Sequence, residues 1–562
     1  MACYVLLALP ALCYGQITSP PVSWRQFGYD AGHAGRPPYF APISQVTALW
    51  TASFSLGEWD FSPVLSTETQ SFILPASNGI LSLNSLTGLT QGSSTNYTFS
   101  PFQYRAYSPA LSSDGNVVFY VGTIAGDAET GRRIFAAFAK NLTTIWYTSA
   151  LPASFSSHIT VGAGDVLFVG ADDGTVRSFF PNGSQSSTYA TGVAARVSTA
   201  PSLSSSLATL FVACGGFVKA FSVSSSGGTI SATKWVMSAA TTFSHGAVIV
   251  SHDGATLYVT DLGYLYAVNT TSGALIAKSI SGAGTFGASA AGPSCLPSVY
   301  VTTYNRFLAA LDSSTTKQLW SAVTHDQCNG APFVSLNGVV VWTNNEGVTR
   351  AVNASSGALL WSYFVGGWTK ESPILGPDGT LYAIGGDGTV AALRGNTCWA
   401  RAGSYCQPCS NSIAECEPGY YSSSSNASTC ALCPPGSFAP ATGSTSCQQC
   451  PGGHYCPSGT SSWARLYCGR GNYCPSGSGA PIPCPYQAPP TGGWGAQQGQ
   501  GPAFLEETAR CLGQCFWNFT SGDGLIADRT LMAGAGTRWR WLAASGVPGP
   551  ALRPAPCDLL SN

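Results

Sequence analysis

Charge is the scarcest ingredient of this 562-residue chain: Asp, Glu, Lys and Arg together make up 9% of it, where about 25% is usual. That excludes a charge-rich disordered chain, a long coiled coil and a basic nucleic-acid binder. With 24 basic against 25 acidic residues the net charge is −1, so no long-range field draws the protein onto phosphate backbones or anionic lipid, and nucleic acid is not an expected partner. Long apolar runs are lacking as well. After the first residues nothing approaches the roughly 18 to 20 uninterrupted apolar positions that a spanning helix needs, so no membrane span is expected in this chain. The six His are dispersed, and there is no His-Glu-x-x-His, Gly-x-Ser-x-Gly, phosphate loop or helix-opening Gly-x-Gly-x-x-Gly. No nucleophile has an evident base, and no catalytic or metal-ligating set can be named.

Turn formers and core material are abundant. The 65 Gly and 36 Pro cut a chain that is 44% hydrophobic and 12% aromatic into short pieces, which reads as many short strands. Residues 1–15, MACYVLLALPALCYG, form an apolar run closed by Cys13 and Gly15 at the small positions expected before signal cleavage, although no Lys or Arg precedes it. The reading is a secretory signal peptide and a secreted or cell-surface protein. Sequons at Asn96, Asn141, Asn182, Asn269, Asn353, Asn426 and Asn518 are candidate glycosylation sites in such a setting.

One unit recurs: a Ser-Pro-like entry, a turn, a β-rich run, a Gly-containing turn and another strand. Its entries fall at Ser62-Pro63, Ser108-Pro109, Ser157-His158, Ala200-Pro201, His245-Gly246, near Ala288, at Ala331-Pro332 and at Ser372-Pro373, about 41 to 49 residues apart. That period fits a four-stranded propeller blade and gives eight of them. The last unit, from Ser372 to Leu393, lacks a fourth strand, while Val46 to Phe54 stands unattached before the first entry. A ring whose first strand completes its last blade leaves no open edge, so this segment is the predicted closing strand. The fold class is therefore all-β: an eight-bladed β-propeller over residues 16–396, a small cysteine-rich module with little regular structure over 397–485, and a tail over 486–562 whose lack of any period reads as disorder.

The turns AVNASSGALLW (351–361), ALDSSTTKQLW (310–320), AVNTTSGAL (267–275) and SLNSLTGLT (82–90) resemble the pyrroloquinoline-quinone-like repeat of the quinoprotein alcohol dehydrogenase-like propellers. In that pattern the Asn or Asp starts the turn, Gly takes the left-handed position and Trp packs across to the neighbouring blade. Trp50, Trp146, Trp235, Trp320 and Trp361 fall on candidate outer strands with that packing role. The resemblance implies a quinone held with calcium over the propeller centre, beside a ring of two adjacent cysteines. No Cys-Cys pair occurs here, so none of the catalytic or calcium residues can be carried over. No cofactor is expected, and pyrroloquinoline quinone with calcium belongs only to the alternative reading. Residues 24–36, WRQFGYDAGHAGR, resemble the strap before the first blade, where Trp24 and Phe27 would cap the ring and Asp30 and His33 are the ligand alternative.

Twelve cysteines follow: Cys398, Cys406, Cys409, Cys416, Cys430, Cys433, Cys447, Cys450, Cys456, Cys468, Cys474 and Cys484. Cys-x2-Cys pairs can hold zinc, but in an oxidising compartment a Gly/Pro/Ser-rich segment with a small core reads as a disulfide framework. All twelve are disulfide candidates, six bridges within the module. Cys214, Cys295 and Cys328, scattered in the propeller, read as buried thiols. The run from Cys406 to Cys484 resembles the cysteine-rich repeats of ephrin-receptor-like extracellular modules.

Just before the inner strands stand Glu58 to Phe61, Tyr104 to Tyr107, Phe155, Arg196, Phe243 with His245, Phe286, Asp326-Gln327 and Trp368 to Glu371. Inner strands all start at one end of the channel, so these groups are expected on one face. The ligand candidates there are Trp59, Asp60, Arg105, His245, Trp368, Lys370 and Glu371, against blade packing for the aromatics. The expected function is binding of an extracellular protein or glycan by a propeller face. The alternative is a quinone-dependent extracellular oxidoreductase acting on alcohols or sugars.

Overall fold

A computed structural model describes residues 24–483 apart from positions 27, 34, 56–60, 77–78, 95–96, 99–106, 125–131, 150–153, 194, 225–227, 244–247, 262, 280–285, 294, 297, 304, 399, 410–411, 426 and 470–471, together with the paired strands Leu525–Ile526 and Leu542–Ala543. The rest of the tail, residues 1–23, Phe27 and Cys484 lie outside the described residues. The chain divides into two compact units, Met1–Cys398 with Gln407–Ser412, and Trp399–Cys406 with Ile413–Asn562.

The first unit is an eight-bladed propeller. Blade 7 shows the plan: Phe333–Val334, Val339–Thr343, Val348–Asn353 and Leu359–Phe364 pair in sequence order as an antiparallel meander. Each hairpin follows from an Asx or Gly turn, and the middle strands are buried on both faces, so they read as apolar runs rather than alternating ones. Blade 4 departs from the plan, because one strand, Thr209–Val223, spans the second and third positions. Blade 8 is Ile374–Leu375, Leu381–Ile384 and Thr389–Arg394, completed by Thr47–Ser53 from the other end of the chain. The closing strand runs antiparallel to the third, Thr47 opposite Arg394 and Ser53 opposite Thr389. The predicted ring closure is thus the observed one.

The joints between blades are filled by buried cores. Val64, Ile73, Leu111 and Val118 fill the joint between blades 1 and 2, and Ile249, Leu265, Val299 and Ala309 the joint between blades 5 and 6. The largest cluster joins blades 7, 8 and 1 and includes Trp24, Tyr29 and Tyr39 from the strap.

That strap runs one lap inside the ring. An inner strand has one unpaired edge, and its buried N–H groups need acceptors. The N–H groups of Leu65, Leu111, Leu203, Val250 and Val334 donate to the carbonyls of Trp24, Arg25, Ala31, Gly32 and Gly35 at 2.7 to 3.0 Å, and Val161 N–H donates to Gln26 Oε1 at 2.7 Å. These are blades 1, 2, 4, 5, 7 and, through Gln26, blade 3. His33 is buried and donates from Nε2 to Pro201 O at 2.8 Å, with Thr160 Oγ1 at 3.0 Å. Asp30 Oδ1 accepts from the Gly32 N–H at 3.0 Å. Both ligand alternatives in the strap therefore hold its own path.

The outer-strand tryptophans act as the repeat resemblance implies. The indole N–H of Trp50, Trp146, Trp235 and Trp320 donates to Ser85, Pro181, Thr270 and Ala354 O of the next blade at 2.8 to 3.0 Å. A Cβ at Gly88, Gly183, Gly273 or Gly357 would stand 2.5 to 2.6 Å from the ring above it, and all four have φ between +71° and +85°, so only Gly fits. Trp361 of blade 7 donates instead to Pro42 O of the strap at 2.8 Å, because blade 8 takes its outer strand from the chain's beginning and has no such turn.

The second unit has little regular structure beyond short two-stranded ladders such as Tyr420–Tyr421 with Ala431–Leu432 and Ser437–Phe438 with Gln448–Gln449. Bridges join Cys416 to Cys430, Cys433 to Cys447, Cys450 to Cys456 and Cys468 to Cys474, and Cys398 and Cys406 are also disulfide-bonded. Gly403, Gly419 and Gly436, 16 and 17 residues apart, have φ of +84° to +91°, and a Cβ on any of them would strike the carbonyl of Gly443, Gly459 or Gly477. Their N–H groups donate to Ser422, Ala439 and Cys456 O at 2.8 Å, so each repeat is tied to the next through its Gly.

One cysteine expectation is corrected. Cys295 is not a buried thiol: it bridges to Cys409, 114 residues later. Cys409 accordingly does not pair within the module, and residues 407–412 fold with the propeller, where the Cys409 N–H donates to Leu336 O at 2.9 Å. Cys214 and Cys328 are free and buried, as expected.

Candidate functional site

The inner strands begin at one end of the channel, and the strap is bonded near their other end. The recurrent Ser of the entries has a structural use at the open end. Ser62 N–H donates to Ser108 Oγ at 2.8 Å, Ser108 N–H to His158 Nδ1 at 2.8 Å, Ala331 N–H to Ser372 Oγ at 2.7 Å, and Ser372 N–H to Phe61 O at 3.1 Å. Each link joins consecutive blades, from 1 to 3 and from 7 round to 1, as a collar. Because a backbone N–H only donates, His158 Nδ1 holds a lone pair, and in the neutral ring the proton sits on Nε2.

Most of the described aromatics before the inner strands point into the joints. Phe61, Tyr107, Phe155 and Phe243 are 0 to 4% exposed, and each belongs to a joint core. Packing is therefore their role. Described ionisable groups beside them are engaged: Arg132 lies 5.0 Å over the Tyr107 ring and donates to Tyr107 OH at 2.9 Å and Phe155 O at 3.2 Å. Arg196 pairs with Asp172 at 2.7 Å, and Arg306 approaches Asp326 at 3.9 Å.

Blade 8 differs. Trp368 is 44% exposed, and the Lys370 ammonium stands 4.7 Å from its ring centroid, a cation–π arrangement that presents an aromatic face and a positive charge together. The segment beneath is fixed. Thr369 is buried, and its N–H donates to Asn345 O at 3.0 Å. Glu371 is 3% exposed; its Oε2 accepts from the Lys370 N–H at 2.9 Å and from the Thr369 hydroxyl, so this carboxylate holds the turn rather than facing the channel. Trp59, Asp60, Arg105 and His245 lie outside the described residues. Of the seven ligand candidates, then, the described part of the face brings together Trp368 and Lys370, with Glu371 supporting them from below.

Sequence reasoning missed two parts of this site. The His158 link has no motif beyond standing where other blades carry Ser, and the strap's closure of the far end runs through backbone carbonyls that any residue supplies.

A family model described as outer membrane protein assembly factor BamB matches residues 262–413, and one described as tyrosine-protein kinase ephrin type A/B receptor-like matches residues 419–465. The match to the BamB-type repeat model thus falls within the eight-bladed propeller, and the match to the ephrin-receptor-like model falls within the disulfide-rich segment that follows it. No curated protein sequence matches it. The quinohemoprotein alcohol dehydrogenase of Comamonas testosteroni superposes with a TM-score of 0.54 at 12% identity, over 67% of this chain and 81% of that one. A quinohemoprotein alcohol dehydrogenase of Pseudomonas putida gives 0.53 at 12%, over 67% and 80%, and a europium-containing methanol dehydrogenase 0.51 at 12%, over 64% and 89%. At that identity the likeness shows the fold of the quinoprotein-like propeller and nothing of its chemistry.

Among the described residues no three His, Cys, Asp or Glu side chains stand close enough to share a metal ion, and the Glu371 carboxylate is bonded within its own turn.

Proposed function

We propose that this chain is an extracellular binding protein, led into the secretory route by residues 1–15, whose propeller offers its entry face to a protein or glycan ligand. The observation that carries this reading is the pairing of a repeat propeller with a disulfide-bonded ephrin-receptor-like module in one chain. Disulfides persist in oxidising compartments, and modules of that kind are built for them. Among the described residues no helix is long and apolar enough to cross a membrane. The exposed Trp368 beside Lys370 supplies what a docking surface needs, an aromatic anchor with a directional charge. No cofactor enters this reading.

The test is a panel of extracellular-matrix proteins and a glycan array, probed with the full chain and two variants. Trp368→Ala should weaken capture by about thirtyfold or more, the loss of about 2 kcal/mol typical of an aromatic anchor. Lys370→Ala should weaken it less, and neither should lower the melting temperature, because Trp368 is exposed. Unchanged capture by Trp368→Ala would reject this face. Saturable binding of pyrroloquinoline quinone with calcium, coupled to dye reduction by an alcohol or sugar, would replace the reading with the oxidoreductase.

A further inference from the structure

Four of the seven sequon asparagines fall among the described residues, and all four stand in one place in the fold. Asn141 and Asn182 lie between the third and fourth strands of blades 2 and 3. Asn269 and Asn353 end the third strands of blades 5 and 7. Asn96, Asn426 and Asn518 lie outside the described residues. In a meander these turns sit at the end of the ring opposite the inner-strand entries.

Each asparagine is folded back as an Asx turn through its oxygen. Asn141 Oδ1 accepts from the Thr143 N–H at 3.0 Å, Asn182 Oδ1 from the Ser184 N–H at 3.0 Å and hydroxyl at 2.7 Å, Asn269 Oδ1 from the Thr271 N–H at 3.0 Å, and Asn353 Oδ1 from the Ser355 N–H at 3.0 Å and hydroxyl at 2.9 Å. The partner is each time the Ser or Thr of the sequon; Asn141 and Asn182 are exposed, and Asn269 and Asn353 are half-buried. The nitrogen Nδ2, which takes a glycan, is left out of these bonds. Three of the turns are instead anchored through backbone, by the indole N–H of Trp146, Trp235 and Trp320 on Pro181, Thr270 and Ala354 O. A substituent on Nδ2 therefore breaks no contact that holds a blade to its neighbour.

We propose that these four turns carry N-linked glycans, so that carbohydrate covers the strap end of the ring and leaves the entry end open for binding. The donor is a lipid-linked oligosaccharide pyrophosphate: a bond forms between Nδ2 and the sugar's anomeric carbon, the bond from that carbon to the pyrophosphate oxygen breaks, and Nδ2 gives up one proton. The proposal rests on the extracellular reading.

The full chain is expressed in secreting eukaryotic cells with its own N-terminus and, in parallel, behind a proven secretory leader. Peptide N-glycosidase in heavy-oxygen water turns each occupied asparagine into a labelled aspartate, read by peptide mass spectrometry. Label at three or all four of Asn141, Asn182, Asn269 and Asn353 is expected; label at two or fewer behind the proven leader overturns the proposal. Label behind that leader alone leaves it standing and overturns the extracellular reading of residues 1–15. A gain-of-site variant sharpens the assignment. Asp312 caps the equivalent turn of blade 6, and Asp312→Asn places an acceptor two residues before Ser314. One added glycan is expected, and none would refute the turn as the acceptor element.

Discussion

Propeller and module both repeat a unit around a left-handed glycine, but the two glycines face different things. In the propeller the glycine lies under a Trp from the neighbouring blade, and the joint around it is filled by aliphatic and aromatic side chains. In the module it lies against a peptide carbonyl, and the buried side chains are mostly cystine sulfurs with Phe438. A unit of about 45 residues has enough apolar area to build a joint of its own, whereas one of about 17 does not, and a covalent link supplies the difference. Stabilisation in the ring should therefore respond to lost side chains and closure, and in the module to reductant.

The strongest break of that contrast is at ring closure. Deleting Thr47–Ser53 leaves Thr389–Arg394 with an unpaired edge, exposes the buried Leu393 and Ala391, and offers a template for strand addition. Aggregates should dominate size-exclusion profiles of this variant. A soluble, cooperatively melting monomer would show that blade 8 does not depend on the chain's first strand.

Next in size is a pair of changes read under oxidising and reducing conditions. Trp235 is 8% exposed, lies 5.9 Å from Phe211 and donates to Thr270 O. Trp235→Ala should cost the propeller about 3 to 5 kcal/mol, the range for a buried aromatic, with or without reductant. The double change Cys433→Ser, Cys447→Ser opens a bridge across 14 residues of sequence and should cost about 3 kcal/mol, confined to the module. Calorimetry of the full chain separates the two transitions. If the serine pair lowered the propeller transition as far as Trp235→Ala does, the division of labour would be wrong.

What was legible in the chain follows the same contrast. Asn, Gly and Trp at fixed offsets report a turn whose chemistry is local, so the blades, their number and the closing strand could be read directly. Cys295 could not be placed, because its partner lies 114 residues away and spacing carries no information on a bridge set by topology. At the entry face spacing told which residues precede an inner strand but not which way they point: Phe61, Phe155 and Phe243 turn into the joints, while Trp368 at a comparable place turns out. Only packing decides that. The strap's lap was invisible for another reason, since it is held largely by main-chain carbonyls.

The smallest expected effect separates turn chemistry from charge. Asp312 occupies the position that Asn84, Asn269 and Asn353 hold in sister blades, and hydrogen bonds from the Ser314 and Thr315 side chains, followed by the Thr315 N–H, hold its carboxyl down to about 2. An unfolded carboxylate titrates near 3.9, so the folded state favours the charged form. That contribution is fully present above about pH 4 and is lost as pH falls toward 2. Asp312→Ser keeps a short oxygen acceptor for the turn and removes the titration. The melting temperatures of parent and variant should therefore differ slightly at pH 6 and converge between pH 4 and 2, the parent losing the more. A gap that stays constant across that range would mean that Asp312 acts through turn geometry alone, as the asparagines of the other blades must.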